Sequence, residues 1–303
     1  MAMDHPPAPG RPARHGSRAA ARAGGDGATG RPPTLVPPPD FGSSLRYWRH
    51  KRGLSQLELS IDGGLSQRHL SFLESGRAQP SREMVLRLGS VLQVPLRQRN
   101  LLLTAAGFAP LYRERTLVDP DLQPVQRALE LMLRQQQPYP AVVVDRLWNV
   151  ASMNEPAHAL IGWLLGPPDS RPPHLAHERN LIRLMLEPDG AKPFVANWRD
   201  VAADVMHWIH REAMNEGAGG AARELLERLL AIDGVPGDWQ VPAGDPRHAP
   251  FLALRLVREE VSLDLFTTIT TLGTPHDVTL QELRVECFFP VDEATDRWFR
   301  SRG

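Results

Sequence analysis

The stretch from Leu54 to Arg77 reads LSQLELSIDGGLSQRHLSFLESGR, and its reading decides what the N-terminal part of the chain becomes. It predicts two short helices joined by a glycine turn. Ser55 is placed to cap the first, and Glu58 three residues on completes an S-x-x-E capping box, in which side chains satisfy backbone N–H groups reciprocally. Leu57, Leu59 and Ile61 supply its apolar positions, and Ser60 is small where two helices must cross. The helix stops at Gly63-Gly64. Glycine reaches positive φ without a Cβ clash, so Gly64 can take the corner. Ser66 caps the second helix. Leu70 and Leu73 turn inward on it, and Gly76 ends it. Gln67, Arg68, His69, Ser71 and Phe72 are left outward near its N-terminal half.

This pattern resembles the helix-turn-helix of phage-repressor (XRE) type, roughly Q-x-x-L-A-x-x-x-G-[VLI]-S-x-x-x-[IL]-S-x-x-E-x-G. Here Gln56, Leu59, Ser60 (for Ala), Gly64, Leu65, Ser66, Leu70, Ser71, Glu74 and Gly76 fill it. The resemblance narrows further on. RAQPSREMVLRL, then VPLRQRNLLLTAAGFAPLYRER, and finally GTPHDVTLQELRVECFFP (Gly273 to Pro290) look like the MmyB-type regulators. The resemblance covers Asp40 to about Arg300. It implies a DNA-binding head joined to a PAS-like domain that binds a small hydrophobic molecule, with a fatty acid as one candidate. The implied fold class is α+β: an all-α, five-helix, lambda-repressor-like domain, then a PAS-like α+β domain with an antiparallel sheet. The expected boundaries are a disordered Arg/Pro/Gly-rich tail over residues 1–39, the DNA-binding domain over 40–112, and the ligand-binding and dimerisation domain over 113–303.

The resemblance also distributes roles. Ser66, Gln67, Arg68 and Ser71 would face base edges or flanking phosphates, with His69 on the same surface. A Gln side chain can pair bidentately with adenine and an Arg with guanine, which suits Gln67 and Arg68. Phe72 would rest on a thymine methyl. Gln56, at a helix N-terminus, would donate to a backbone phosphate, and Arg77 and Lys51 would hold phosphates. Arg49 would instead pair with Glu74 within the fold. One such module is too small to bind tightly, so a homodimer on an inverted-repeat operator of double-stranded DNA is expected.

Charge supports a polyanion partner. The net charge is zero, yet Met1 to Arg115 holds 17 Lys+Arg against 8 Asp+Glu, or +9, and the remainder holds 18 against 27, or −9. A basic third beside the motif is the electrostatic footprint of a nucleic-acid binder. One cysteine, Cys287, excludes an internal disulfide and suits a reducing cytoplasm. No apolar run is long enough to span a membrane. Residues 1–39 carry too few large apolar residues to fold alone.

In the second half, Asp119 to Gln137 reads as a connecting helix and a candidate dimer contact. A hairpin follows, with strands Ala141–Asp145 and Leu147–Ser152. Helices are expected over Pro156–Leu165, Asn180–Leu186, Phe194–Met214 and Arg223–Ile232, and Pro236 to Pro250 reads as loop. Strands resume around Leu252, Leu254 and Leu256, around Val261 to Ile269, and around Leu283 to Phe289. The expectation is an antiparallel sheet covered on one face by helices. Six of the seven Trp lie here, which suggests a mostly apolar pocket with a few polar anchors. An apolar acid would want a cation at its mouth. Arg183 and Arg199, with Asn197 and Trp198 beside them, are the candidates. His207 and His210 read as a solvated helix face. With no H-E-x-x-H, Cys pair or G-x-S-x-G, neither a metal site nor an enzyme is expected. The rival reading is a ligand-independent dimeric repressor of phage or antitoxin type.

Overall fold

The computed structural model describes residues 40–216, 220–239, 251 and 253–302. The expected N-terminal tail lies outside them, as do Leu252 and most of the expected loop before it.

The head is a bundle of five helices: α1 Phe41–Lys51, α2 Gln56–Asp62, α3 Gln67–Glu74, α4 Arg82–Val91 and α5 Leu96–Ala105. Its caps are those the sequence announces. Ser55 Oγ accepts from Glu58 N at 3.2 Å, and Glu58 Oε2 accepts from Ser55 N at 2.7 Å. Ser66 Oγ accepts from His69 N at 3.2 Å. Gly64 turns the corner at φ +65°, a left-handed conformation that costs glycine little. Leu45, Leu59, Leu70, Leu73, Leu92 and Leu103 are fully buried, and Phe41 and Trp48 close the core from α1. Leu57 and Ile61, apolar on α2, instead stay 53 % and 68 % exposed. α1 lies very close to α3. A Cβ placed on Gly42 would sit 2.5 Å from the Leu73 carbonyl oxygen and 2.8 Å from that of Glu74.

The C-terminal domain is built on five strands: β1 Ala141–Val144, β2 Val150–Met153, β3 Leu254–Arg258, β4 Val261–Thr271 and β5 Arg284–Pro290. They pair antiparallel throughout in the order β2-β1-β5-β4-β3, as a PAS-like domain requires. α6 Gln123–Gln135 precedes the first strand, α7 Glu155–Leu165, α8 Pro173–Ala176, α9 Leu181–Leu186, α10 Trp198–Ala213, α11 Ala221–Leu230 and α12 Val278–Glu282 run between the first and last strands, and α13 Glu293–Arg300 follows the last. α7, α9, α10 and α11 build the larger core against one sheet face, where Val142, Val144, Leu256, Leu263, Leu265 and Phe288 point.

Two expectations need correction. The sheet is covered on both faces, because α6 lays Leu129 and Leu133 on Ala141, Val143, Leu283 and Val285. The cause is visible in β1, whose four residues AVVV are all buried. A continuous apolar strand has no solvent face to offer. The apolar stripe of α6 is thereby used within the chain. The second strand of the hairpin also begins three residues later than expected. Asp145 Oδ1 accepts from the backbone N–H groups of Leu147 at 2.8 Å and Asn149 at 2.9 Å, drawing residues 145–149 into a turn. Trp148 in that turn has φ +67°, an outlier for so bulky a residue. Leu181 N donates to its carbonyl at 2.9 Å, pinning the turn to the start of α9.

Candidate DNA-binding surface and ligand cavity

α3 presents the surface expected to meet DNA. Ser66, Gln67, Arg68 and Arg77 are exposed, while His69, Ser71 and Phe72 are half-buried on the same helix. The Arg68 guanidinium lies 5.3 Å from the Phe72 ring centre, so the two side chains support each other.

Behind this surface sits a buried charge cluster. Arg49 donates to both carboxylate oxygens of Glu74, at 2.6 and 3.0 Å, as the sequence implied. Burial pushes the Glu74 carboxyl up, but hydrogen bonds from Arg49 and Gln56 and the charges of Arg49 and Arg46 outweigh it and hold it below the usual range. Gln56 is also tied into this cluster. Its side-chain amide donates to Glu74 Oε2 at 2.9 Å. Arg46 reaches the backbone oxygen of Glu74 at 2.9 Å. The end of α3 is therefore locked to α1 and α2.

Lys51, expected on a phosphate, is engaged elsewhere. Its ammonium donates to the Met214 carbonyl at 3.2 Å and to the Asn215 side chain, and it lies 4.9 Å from the Trp48 ring centre. The Tyr47 hydroxyl also donates to the Met214 carbonyl. Met214 follows the last residue of α10, so α1 docks on the helix's C-terminal carbonyls, where the dipole favours a cation. Partial burial, with Arg52 nearby, lowers the Lys51 pKa to about 8. A second tie runs from α5. Arg97 donates to Glu282 at 2.7 and 2.9 Å, and Leu96 N donates to Gln281 at 2.6 Å.

The α10 helix reaches from this junction into the domain core. There a cavity of about 190 Å³ opens between the sheet and α9–α10. Trp148, Ile182, Val201, Val205, Trp208 and Phe288 supply its apolar wall. An apolar neighbour of about 60 Å³ shares Leu181, Met185, Leu254 and Phe288 with it and continues toward α7. For scale, a cavity of about 150 Å³ lined by aliphatic and aromatic side chains is enough to bind benzene. The polar side chains lining the larger cavity are Glu286, Thr267 and, at the exposed rim, Asp204. Glu286 projects from the middle of the sheet, opposite Val142 on β1 and Ile269 on β4. It is 6 % exposed, and burial pushes its carboxyl up to about 7 against the opposing hydrogen bond of Thr267.

The candidate ligand residues fall elsewhere. Arg183 pairs with Glu178 and with Glu187, the latter at 3.4 Å. Arg199 is exposed and pairs with Asp238 at 3.1 Å. Asn197 bridges backbone groups, donating to Ala253 O at 2.6 Å and accepting from Arg255 N at 3.0 Å. Trp198 packs under Lys192, whose ammonium is 4.2 Å from its ring centre. None of the four lines either cavity. The structure brings Asn197, Trp198 and Arg199 together at the start of α10, away from both cavities, with Trp198 packed against the core. His207 and His210 are not a solvated face either. Both pack edge-on against the buried Trp239, at 5.6 and 5.1 Å between ring centres. No cluster of metal-ligating side chains exists among the described residues.

Residues 45–98 match the family model described as helix-turn-helix, and residues 125–301 match that of the MmyB-like transcription regulator ligand binding domain. Neither is an enzyme family. No curated protein matches the sequence. Among solved structures, one described as "Structure of an RNA-binding Light-Oxygen-Voltage Receptor" overlaps 87 % of this chain at 11 % identity, with a TM-score of 0.23. This chain spans 61 % of that one, and so shallow an overlap says nothing about the fold. No helix among the described residues is long and apolar enough to cross a membrane. With the second match covering more than half of its length, the chain belongs to the MmyB-like transcription regulators, a helix-turn-helix head carried on an MmyB-like ligand-binding domain.

Proposed function

We propose that the chain is a homodimeric transcription regulator. Its head reads an inverted-repeat operator in double-stranded DNA, and its C-terminal domain adjusts that reading when a small apolar molecule enters the cavity. The observation that carries this is the α10 helix. Val201, Val205 and Trp208 on it line the cavity, while the carbonyls at its end hold Lys51 and Tyr47 of the head. One rigid element thus touches both the ligand space and the helix that braces α3. A ligand shifts such a system only by its difference in affinity for two arrangements. Releasing Lys51 from Met214 would free it for a backbone phosphate. The elongated pair of cavities suits a fatty acyl chain. The volume they enclose favours this reading over a ligand-independent repressor, whose core would be packed solid.

On the DNA side, Gln67 and Arg68 are the proposed base readers, and phosphate contacts fall to Ser66, Ser71, Arg77 and a released Lys51. Phosphate contacts position a protein and base contacts choose the sequence. Arg68→Ala should cost about 1–3 kcal/mol and relax one base preference. Arg77→Ala should weaken all sequences alike and flatten the salt dependence. Binding-site selection on the parent and the Arg68 variant tests this, and an unchanged consensus would remove Arg68 from the reading surface.

A further inference from the structure

Five buried side-chain atoms among the described residues lack a hydrogen-bond partner: the indole Nε1 of Trp148, Trp198, Trp208 and Trp298, and Oε2 of Glu286. Those of Trp148, Trp208 and Glu286 belong to side chains that line the same cavity of about 190 Å³. Buried polar groups are normally paired, because an orphan forfeits its hydration with no return. Three orphans around one largely apolar space point to an occupant that completes them. Trp148 is held there in a positive-φ turn whose carbonyl is fixed by Leu181 N, so its indole is placed rather than free to relax.

The donor and acceptor types set the occupant's chemistry. An indole N–H only donates, and Glu286 Oε2 accepts. The unpaired groups of the wall are therefore two donors and one acceptor. Its charged members are Glu286 and Asp204, with no Lys, Arg or His among the lining residues of either cavity. Arg284 lies 4.9 Å from the Trp208 ring centre, but it is bound to Glu212 at 2.7 Å and does not line the cavity. An ionised carboxylate here would meet two acids and no cation, and an unpaired buried charge is prohibitive. An ammonium would satisfy Glu286 but turn further donors toward the two indoles.

We infer that the occupant is an apolar molecule whose buried end is an uncharged group that both donates and accepts hydrogen bonds, a primary amide or an alcohol, held by Glu286, Trp148 and Trp208. This rests on the reading that the domain binds a small apolar ligand.

The test is calorimetric titration of the full chain, cleared of co-purified ligand on a hydrophobic resin, with decanamide, 1-decanol, decanoate and decylamine. The amide and the alcohol should bind, with the acid and the amine weaker by about tenfold or more. Glu286→Leu should weaken the amide by a similar factor, whereas Glu286→Gln, which keeps an acceptor, should hold most of its affinity. Should Glu286→Leu fail to fold, Trp208→Phe removes one donor with little change of shape and should weaken the amide by a smaller factor. Decanoate or decylamine binding as tightly as the amide would overturn the head-group assignment and leave the apolar site standing. Amide affinity unchanged in the Leu and Phe variants would overturn the placement at Glu286. Binding by none of the four would overturn both the inference and the reading it rests on.

Discussion

Glu286 bears on the stability of the C-terminal domain and, on the proposed reading, on its selectivity. Its carboxyl is raised from 4.5 to about 7 by burial. The folded chain therefore holds this proton more tightly than the unfolded chain does. The residue carries no penalty below about pH 4.5. A penalty grows as pH rises toward about 7 and persists above it, reaching about 3 kcal/mol. Glu286→Gln removes that titration, so the variant should gain stability relative to the parent as pH rises through this window. Urea denaturation of both proteins at several pH values checks the sign. Asp204 and Cys287, its titratable neighbours, remain in both proteins and largely cancel. The buried Arg49–Glu74 pair behaves oppositely. Removing either partner orphans a charge, and Glu74→Ala should cost about 3 kcal/mol or more in the same assay. This pair was legible from sequence because its spacing belongs to the helix-turn-helix pattern. Glu286 was not. In RVECFF it reads as a polar residue between inward Val285 and Cys287, and only the burial of both sheet faces reveals that it points into the larger core.

Among the elements, α2 and α3 were the most legible because their signals are local. The capping serines, the glycine corner and the buried leucines all act within a few residues of one another. The closeness of α1 to α3 is set by Gly42, which no local pattern singles out. Gly42→Ala would drive a methyl group into two backbone carbonyls, and overpacking of this kind costs about 1–3 kcal/mol. A lower urea midpoint together with weaker operator binding is the expected result, since α3 is braced by α1. The second half is less legible. Apolar periodicity marks its helices, but charge alone points to Arg183 and Arg199 as ligand residues. Both arginines have carboxylate partners in the fold, which a sequence without an alignment does not display. A useful signal was available in β1, where four consecutive apolar residues imply helices on both sides of the sheet.

For the whole molecule, the proposed phosphate role of Lys51 would make DNA a competitor for a contact that joins the head to the ligand-binding domain, its hydrogen bond to the Met214 carbonyl. Tyr47→Phe combined with Asn215→Ala removes two of the ties between α1 and the end of α10. This double variant should bind operator with the parent's sequence preference but respond less to the state of the cavity. Titrating operator against ligand-cleared and as-purified protein, for parent and variant, measures that loss. A variant with the parent's full response would place the coupling elsewhere.

Ligand-controlled DNA binding requires the cavity to be occupied and that occupancy to reach the DNA. The most direct measurement is operator affinity of the full chain before and after organic extraction, with a native mass spectrum recorded on each sample. The expected result is a dimer carrying an extractable small molecule, and an operator affinity that changes on its removal by about 5- to 150-fold, the usual range of coupling between two sites. A chain that purifies bare, or one whose operator affinity is the same with and without its bound molecule, would contradict it.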